Sequence, residues 1–232
     1  MSDTDARFGM LIDLSLCIGC NACTVACKEE NDVPTGSDCF NVWVESWDVD
    51  RGDGYSARVN LPKQCNHCAN PVCVAVCPTG ATYVDETNGT VQVTAESCIG
   101  CGACVSACPY GARWMDPEAN TARKCTFCHH RSSNGLLPAC VSTCVSKARI
   151  FGDLNDPESD ISKRLAAKGD NVAVLLPEEG LEPSVRYVGL DTILAMERTS
   201  AVHKGGNVLV AYEGRDGMAA RTGGSASADK DA

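Results

Sequence analysis

Aromatic side chains are scarce in this chain, with four Phe, three Trp and five Tyr among 232 residues. The 44% hydrophobic share includes the cysteines, so a hydrocarbon core is short of large anchors and something else is expected to help hold the fold. Basic residues are outnumbered, 20 Lys and Arg against 30 Asp and Glu, for a formal charge of −10. A nucleic-acid binder needs a basic face, so no nucleic-acid partner is expected. Long apolar runs are missing as well. The best candidates, residues 172–176 and 208–210, are strand-sized and far short of the ~20 residues that span a bilayer. The first residues, MSDTDARF, are acidic and polar, and are not read as a signal peptide. The sequence holds no G-x-G-x-x-G turn, no G-x4-G-K-[ST] loop and no H-E-x-x-H pair. No catalytic residue is therefore expected.

Cysteine is what the chain has in excess: 17 residues, of which sixteen fall into four groups of four. Group one is Cys17, Cys20, Cys23 and Cys27; group two is Cys65, Cys68, Cys73 and Cys77. Group three is Cys98, Cys101, Cys104 and Cys108, and group four is Cys125, Cys128, Cys140 and Cys144. Only Cys39 stands apart, and it reads as a bystander thiol. A disulfide scaffold needs an export context and room to pair, and four cysteines within eleven residues would bond awkwardly. Zinc takes four ligands from paired C-x2-C knuckles. Group four, C-x2-C-x11-C-x3-C, would pass that test alone, but the C-x2-C-x2-C-x3-C of groups one and three would not. That spacing is the bacterial ferredoxin pattern, in which the fourth cysteine ligates the other of two cubane clusters. Three thiolates at i, i+3 and i+6 let one loop wrap the cubane. CIGCGACVSACP matches throughout, Pro109 included; CNHCANPVCVAVCP stretches its second spacing; Lys28 and Val145 replace the proline in groups one and four. Four quartets imply four [4Fe-4S] clusters, a polyferredoxin. Gly19, Gly100 and Gly102 are expected to take positive φ and bring N–H groups toward sulfur. Ile18 and Ile99 are expected to shield the clusters from water.

CIGCNACTVAC and CIGCGACVSAC are near copies, so groups one and three head equivalent units. The fourth cysteines can be exchanged between groups one and two and between three and four, or in a nested scheme of two with three and one with four. Spacing alone does not decide between them; the compact stretch from Cys65 to Cys108 favours nesting. Strands are expected at residues 7–13, 40–47, 82–84, 90–93, 150–153, 172–176 and 185–190, with Asn88-Gly89 as a hairpin turn. A helix is expected after Asp156 as N-cap, with Pro157 at its first position, Ile161 and Leu165 on one face and Gly169 closing it.

The stretches GMLIDLSLCIGCNACTVACKEEN, QCNHCANPVCVAVCPTGA, CIGCGACVSACPYGAR, KCTFCHHR…PACVSTC and FGDLNDPES together resemble the four-cluster iron–sulfur subunits of molybdopterin oxidoreductases of the dimethyl sulfoxide reductase superfamily. The look is that of the polysulfide, thiosulfate, tetrathionate and arsenate reductase electron-transfer subunits. The resemblance runs from about residue 7 to residue 190. It implies an α+β fold of two pseudo-repeated bacterial ferredoxin-like modules, each holding two [4Fe-4S] clusters. The outer module would be discontinuous, residues 6–60 plus 119–152, around an inner one of 61–118. Residues 153–213 would form a docking extension and 214–232 a disordered tail. The resemblance also implies nested ligation. One cluster takes Cys17, Cys20, Cys23 and Cys144; its partner takes Cys125, Cys128, Cys140 and Cys27. The inner pair takes Cys65, Cys68, Cys73 with Cys108, and Cys98, Cys101, Cys104 with Cys77.

An oxidised cubane with its four thiolates carries about −2, so four add roughly −8 to an already acidic chain. Such charges need N–H groups or cations facing the sulfurs. Arg123, Lys124, Arg131, Lys147 and Arg149 flank group four, as candidates for raising a cluster potential or as plain solvated charge. His67, His129 and His130 lie beside ligand cysteines whose quartets are already complete, so hydrogen bonding or partner contact is expected of them rather than ligation. The function these features imply is one-electron transfer between a molybdopterin (Mo or W) catalytic subunit and a quinol-linked membrane anchor subunit, in an anaerobic respiratory reductase. The alternative is a stand-alone polyferredoxin, or the wire of a hydrogenase or formate dehydrogenase complex. The resemblance implies the outer face of the cytoplasmic membrane, reached by co-export with the catalytic partner; the alternative is the cytoplasm.

Overall fold

A computed structural model describes residues 6–35, 39–200 and 202–204. The expected tail, 214–232, lies outside the described residues. Strand β1 (Phe8–Asp13) leads into the first cysteine loop and helix α1 (Ala22–Glu30), and strands β2 (Val42–Asp50) and β3 (Ser56–Gln64) then form a long hairpin ending at Cys65. Helix α2 (Val72–Ala75), hairpin β4 (Thr82–Asp85) and β5 (Thr90–Val93), helix α3 (Ala103–Ser106) and hairpin β6 (Arg113–Asp116) and β7 (Thr121–Lys124) follow. Helices α4 (His129–Ser132) and α5 (Ala139–Ser142) accompany group four. Strand β8 (Arg149–Asp153), helix α6 (Asp160–Lys168), strands β9 (Val172–Ala173) and β10 (Val185–Val188), helix α7 (Leu190–Ala195) and strand β11 (His203–Lys204) complete the order.

The strands sort into one four-stranded sheet, one three-stranded sheet and two isolated hairpins. In the four-stranded sheet, ordered β8-β1-β10-β9, β1 runs antiparallel to β8 and parallel to β10. Part of the expected C-terminal extension is thus built into the sheet beside β1. Helix α6 lays the fully buried Ile161 against Leu11, Ile150 and Val188. Its N-cap is Ser159 rather than Asp156: the Ser159 hydroxyl accepts the Ser162 N–H at 3.2 Å, the bond an N-cap makes to the third helical residue. Asp156 instead accepts the Glu158 N–H in the preceding turn. The strand expected at 172–176 stops at Ala173, and Leu176, at φ 49, and Pro177 open a 3-10 turn.

Two strand pairs depart from the expectation for definable reasons. Strand β2 begins at Val42 and runs to Asp50 against β3, which the sequence reading does not anticipate. Pro62 hides it, since proline cannot donate to a ladder, but β3 is the edge of the order β11-β2-β3, where that donor is not needed. The β6–β7 hairpin is hidden because two of its inward residues are charged: Arg113 and Lys124 are both buried.

The ligand loops repeat in backbone as well as in sequence. Gly19 and Gly100 sit at φ 67 and 71, and Asn21 and Gly102 at φ 59 and 72. His67 and Phe127, at equivalent positions of groups two and four, sit at φ 44 and 54. Helix α1 packs on α5 and α5 on β8, while α2 packs on α3 and β4, and α3 on β6. Thiols take part in the core itself. The largest cluster joins Met10, Ile12, Trp47 and Tyr187 with Cys23, Cys27, Cys65, Cys125 and Cys140. Among the described residues no helix is long and apolar enough to cross a membrane.

Candidate functional site

Each cysteine group lies on a loop that closes with a short helix, and the last cysteine of a group comes near or beyond the helix end. This directs the fourth thiol away from its own loop. Cys17, Cys20 and Cys23 line a small cavity together with Cys144, from the far end of the motif region. Cys65, Cys68 and Cys73 line another with Cys108. Cys27 stands with Cys128 and Cys140, and Cys125 with Cys27 and Cys140. The Asn31 amide joins that set, donating to Cys27 Sγ at 3.5 Å and to Cys128 Sγ at 3.7 Å. For Cys77 the placement is that of its element: it follows α2, which packs on the α3 that carries Cys104. Among the described residues no three His, Cys, Asp or Glu side chains converge as they would on a single metal ion.

The thiols suit ligands of a cationic iron–sulfur core better than they suit free cysteines. Burial, reinforced by neighbouring sulfurs, pushes the Cys68 thiol up to about 12 and Cys140 up to about 11, and raises Cys27 and Cys125 well above the ordinary thiol value. Thiols gathered this way ionise together only where iron supplies the positive charge. Donors for the sulfurs are already in place. The N–H groups of Phe127, Thr82 and Ala122 point at Cys125, Cys77 and Cys98 at 3.4, 3.4 and 3.5 Å. The Thr82 N–H is the main reason the half-buried Cys77 thiol falls to about 7. Burial raises Cys144, but the Arg149 N–H and the Ser146 hydroxyl outweigh it and bring the thiol below its ordinary value.

The cations expected around group four divide into two kinds. Arg123 pairs with Asp116 at 2.9 Å and Arg131 with Glu30 at 2.9 Å, both near the surface, and Lys147 is exposed. Lys124 and Arg149 are buried. A third buried cation, Arg113, has no counterpart in the sequence reading; its Nη2 donates to Cys73 Sγ at 3.0 Å. Its position on a short strand offers no pattern that could have singled it out.

The histidines hold hydrogen-bonding places. His67 is fully buried, its Nδ1 accepts the Val91 N–H at 3.1 Å, and its ring stacks on Phe127 with centroids 3.8 Å apart. Burial, with Lys124 and Arg113 nearby, holds the ring neutral. His130 bonds Glu30 at 2.8 Å, and His129 lies 3.8 Å from Asp85. Cys39 is half-buried and lines neither thiol cavity; its carbonyl accepts from Lys28 Nζ at 2.9 Å. Lys28 sits inside α1, which continues to Glu30 past the place where proline would break it. Ile18 and Ile99 do not shield by burial, being 65% and 62% exposed; Val25 and Val145 are both 67% exposed.

Residues 57–154 match the family model described as a 4Fe-4S dicluster domain, and residues 14–32 one described as a 4Fe-4S binding domain. The chain is similar to the B subunit of the tetrathionate reductase of Salmonella typhimurium, 51% identical over a stretch covering 80% of this chain and 73% of that protein. It is also similar to the B component of the polysulfide reductase of Wolinella succinogenes, 43% identical over 75% of this chain and 89% of that one. The B subunit of the sulfite dehydrogenase of Allochromatium vinosum is 37% identical over 78% of this chain and 82% of its own.

Proposed function

Since the chain belongs to the iron–sulfur electron-transfer subunits of the dimethyl sulfoxide reductase superfamily, we propose that it conducts electrons singly through four [4Fe-4S] clusters, with no catalytic site of its own, in an anaerobic respiratory reductase. The clusters, when bound, supply reversible one-electron chemistry. This chain's residues hold them by sixteen thiolates and donate N–H groups to the sulfurs.

The observation that carries this reading is the cavity in which Cys144 completes the set of Cys17, Cys20 and Cys23. It supports nested ligation, as do the Cys27 set and the cavity completed by Cys108. The repeated loop torsions and the two helix pairs support two pseudo-repeated modules, an inner one of 61–118 enclosed by 6–60 and 119–152. Cys125 feels the charge of Cys65, which favours the order Cys98 set, Cys65 set, Cys125 set, Cys17 set along the wire. At both ends a cysteine, Cys20 or Cys101, is exposed beside an exposed isoleucine, which suits contact with a partner. The partners proposed are a molybdopterin catalytic subunit and a quinol-linked membrane subunit, on the outer face of the cytoplasmic membrane.

The test is anaerobic purification of the native complex, with mass spectrometry of bound chains and elemental analysis. The reading expects a large subunit with molybdenum or tungsten, and about sixteen irons belonging to this chain. Iron without a large partner would mean a free polyferredoxin. Protease protection in intact and lysed cells places the complex inside or outside.

A further inference from the structure

We infer that the chain sets one buried cation in each gap of this wire, Arg113 between the Cys98 and Cys65 sets, Lys124 between the Cys65 and Cys125 sets, and Arg149 between the Cys125 and Cys17 sets, and that each cation raises the reduction potentials of the two clusters it faces. The inference rests on the ligand sets proposed above.

All three side chains are buried, between 3% and 5% exposed. Among the described residues none of the three pairs with an aspartate or glutamate, whereas Arg123, Arg131 and Lys163 on the surface all do. A buried cation without a counter-charge is costly, so the compensating negative charge must come from elsewhere. Sulfur is what faces them. Arg113 lines the Cys65 cavity, bonds Cys73 Sγ at 3.0 Å and lies near Cys104 of the neighbouring set. Lys124 Nζ donates to the carbonyls of Val91 and Cys125, between Cys65 and Cys73 on one side and Cys125 on the other. Arg149 lines the Cys17 cavity and faces Cys23 of that set and Cys140 and Cys125 of the next. Its Nη1 bonds Gln64 Oε1 at 2.5 Å, while Nη2 is buried with no partner of its own. A donor left over in this way suits an acceptor in the thiol cage.

Reduction brings one electron and one negative charge into a thiolate cage, without a proton. A fixed positive charge between two cages lowers the cost in both, and burial keeps salt from screening it. The three positions therefore act on overlapping pairs. Arg113 and Arg149 face no set in common, and Lys124 shares one set with each.

The experiment is a redox titration of the purified complex followed by electron paramagnetic resonance, with iron counted in each sample. Arg149→Gln is expected to make two of the four clusters harder to reduce by about tenfold or more, ~59 mV per tenfold for one electron. Arg113→Gln is expected to shift the other two. Lys163→Gln, the same charge change at the surface, should move none. Potentials that stay within the Lys163→Gln range with iron intact, or four clusters shifting equally, would overturn the inference. Should a Gln variant lose iron, Arg149→Lys and Arg113→Lys decide. Full iron and near-parental potentials in the Lys variants support the role of charge; iron loss there too overturns it, because shape would then be what counts. A parent complex with fewer than four clusters would instead overturn the ligand assignment, a separate failure.

Discussion

At the scale of single residues, cysteine identity was legible in the sequence, and the residues that tune the cysteines were legible only in part: Lys124 and Arg149 stood among five candidate cations, and Arg113 did not. Replacing Cys144 by Ser is expected to alter the same cluster signal as Cys17→Ser, and to leave the signal altered by Cys98→Ser intact. Spectra in which Cys144→Ser and Cys98→Ser affect one signal would reinstate the sequential pairing. Gly19 makes a second test. It sits at φ 67, and a Cβ there would run into the side chain of Asn60, whose amide donates to the Cys17 carbonyl. Gly52, at φ 77, has open space around it. Gly52→Ala should cost about 1 kcal/mol of backbone strain, and Gly19→Ala about 1–3 kcal/mol. Equal midpoints in anaerobic thermal unfolding would refute the close approach. Spacing marks cysteines and turn glycines because they recur at fixed offsets. It cannot mark Arg113, and it cannot tell Lys124 and Arg149 from the surface charges beside them until the direction of each side chain is known.

At the scale of elements, β1 and α6 are held together by an ionic contact at the strand end. Asp13 accepts from the Ser15 N–H at 3.1 Å and the Ser15 hydroxyl at 2.5 Å, and Lys168 Nζ stands 3.1 Å away. Burial works against the charged carboxylate, but Ser15 and Lys168 outweigh it and hold the Asp13 carboxyl below the ordinary aspartate range. Its folded pKa being depressed, it adds stability that is complete above the unfolded pKa of about 3.9 and is lost as pH falls through the folded value. Asp13→Asn lacks that term. The gap between the unfolding midpoints of parent and variant should therefore be widest near pH 6 and close toward pH 3; a constant gap would refute the assignment. The β4–β5 hairpin was legible from Asn88-Gly89, because that turn is local. The parallel pairing of β1 with β10 was not, since it joins segments more than 170 residues apart along the chain and leaves no local mark.

At the scale of the whole molecule, the thiols replace the aromatics that the composition lacks. Cys23, Cys27, Cys65, Cys125 and Cys140 sit inside the largest apolar cluster. Iron removal by a chelator under reducing conditions should then collapse near-ultraviolet circular dichroism and sharply raise protease sensitivity, rather than leave a folded apoprotein. An apoprotein with native-like spectra would show that the hydrocarbon core suffices. The chemistry was already written in the order of the residues: four quartets at cubane spacing, the acidic balance and the family likeness need no coordinates. That order left open which fourth cysteine meets which loop, because both exchange schemes satisfy the same spacing. Packing in three dimensions brings Cys144 to the Cys17 loop and turns Arg113, Lys124 and Arg149 inward. Ligand spacing follows from the reach of a single loop, whereas pairing and buried charge depend on how distant segments pack.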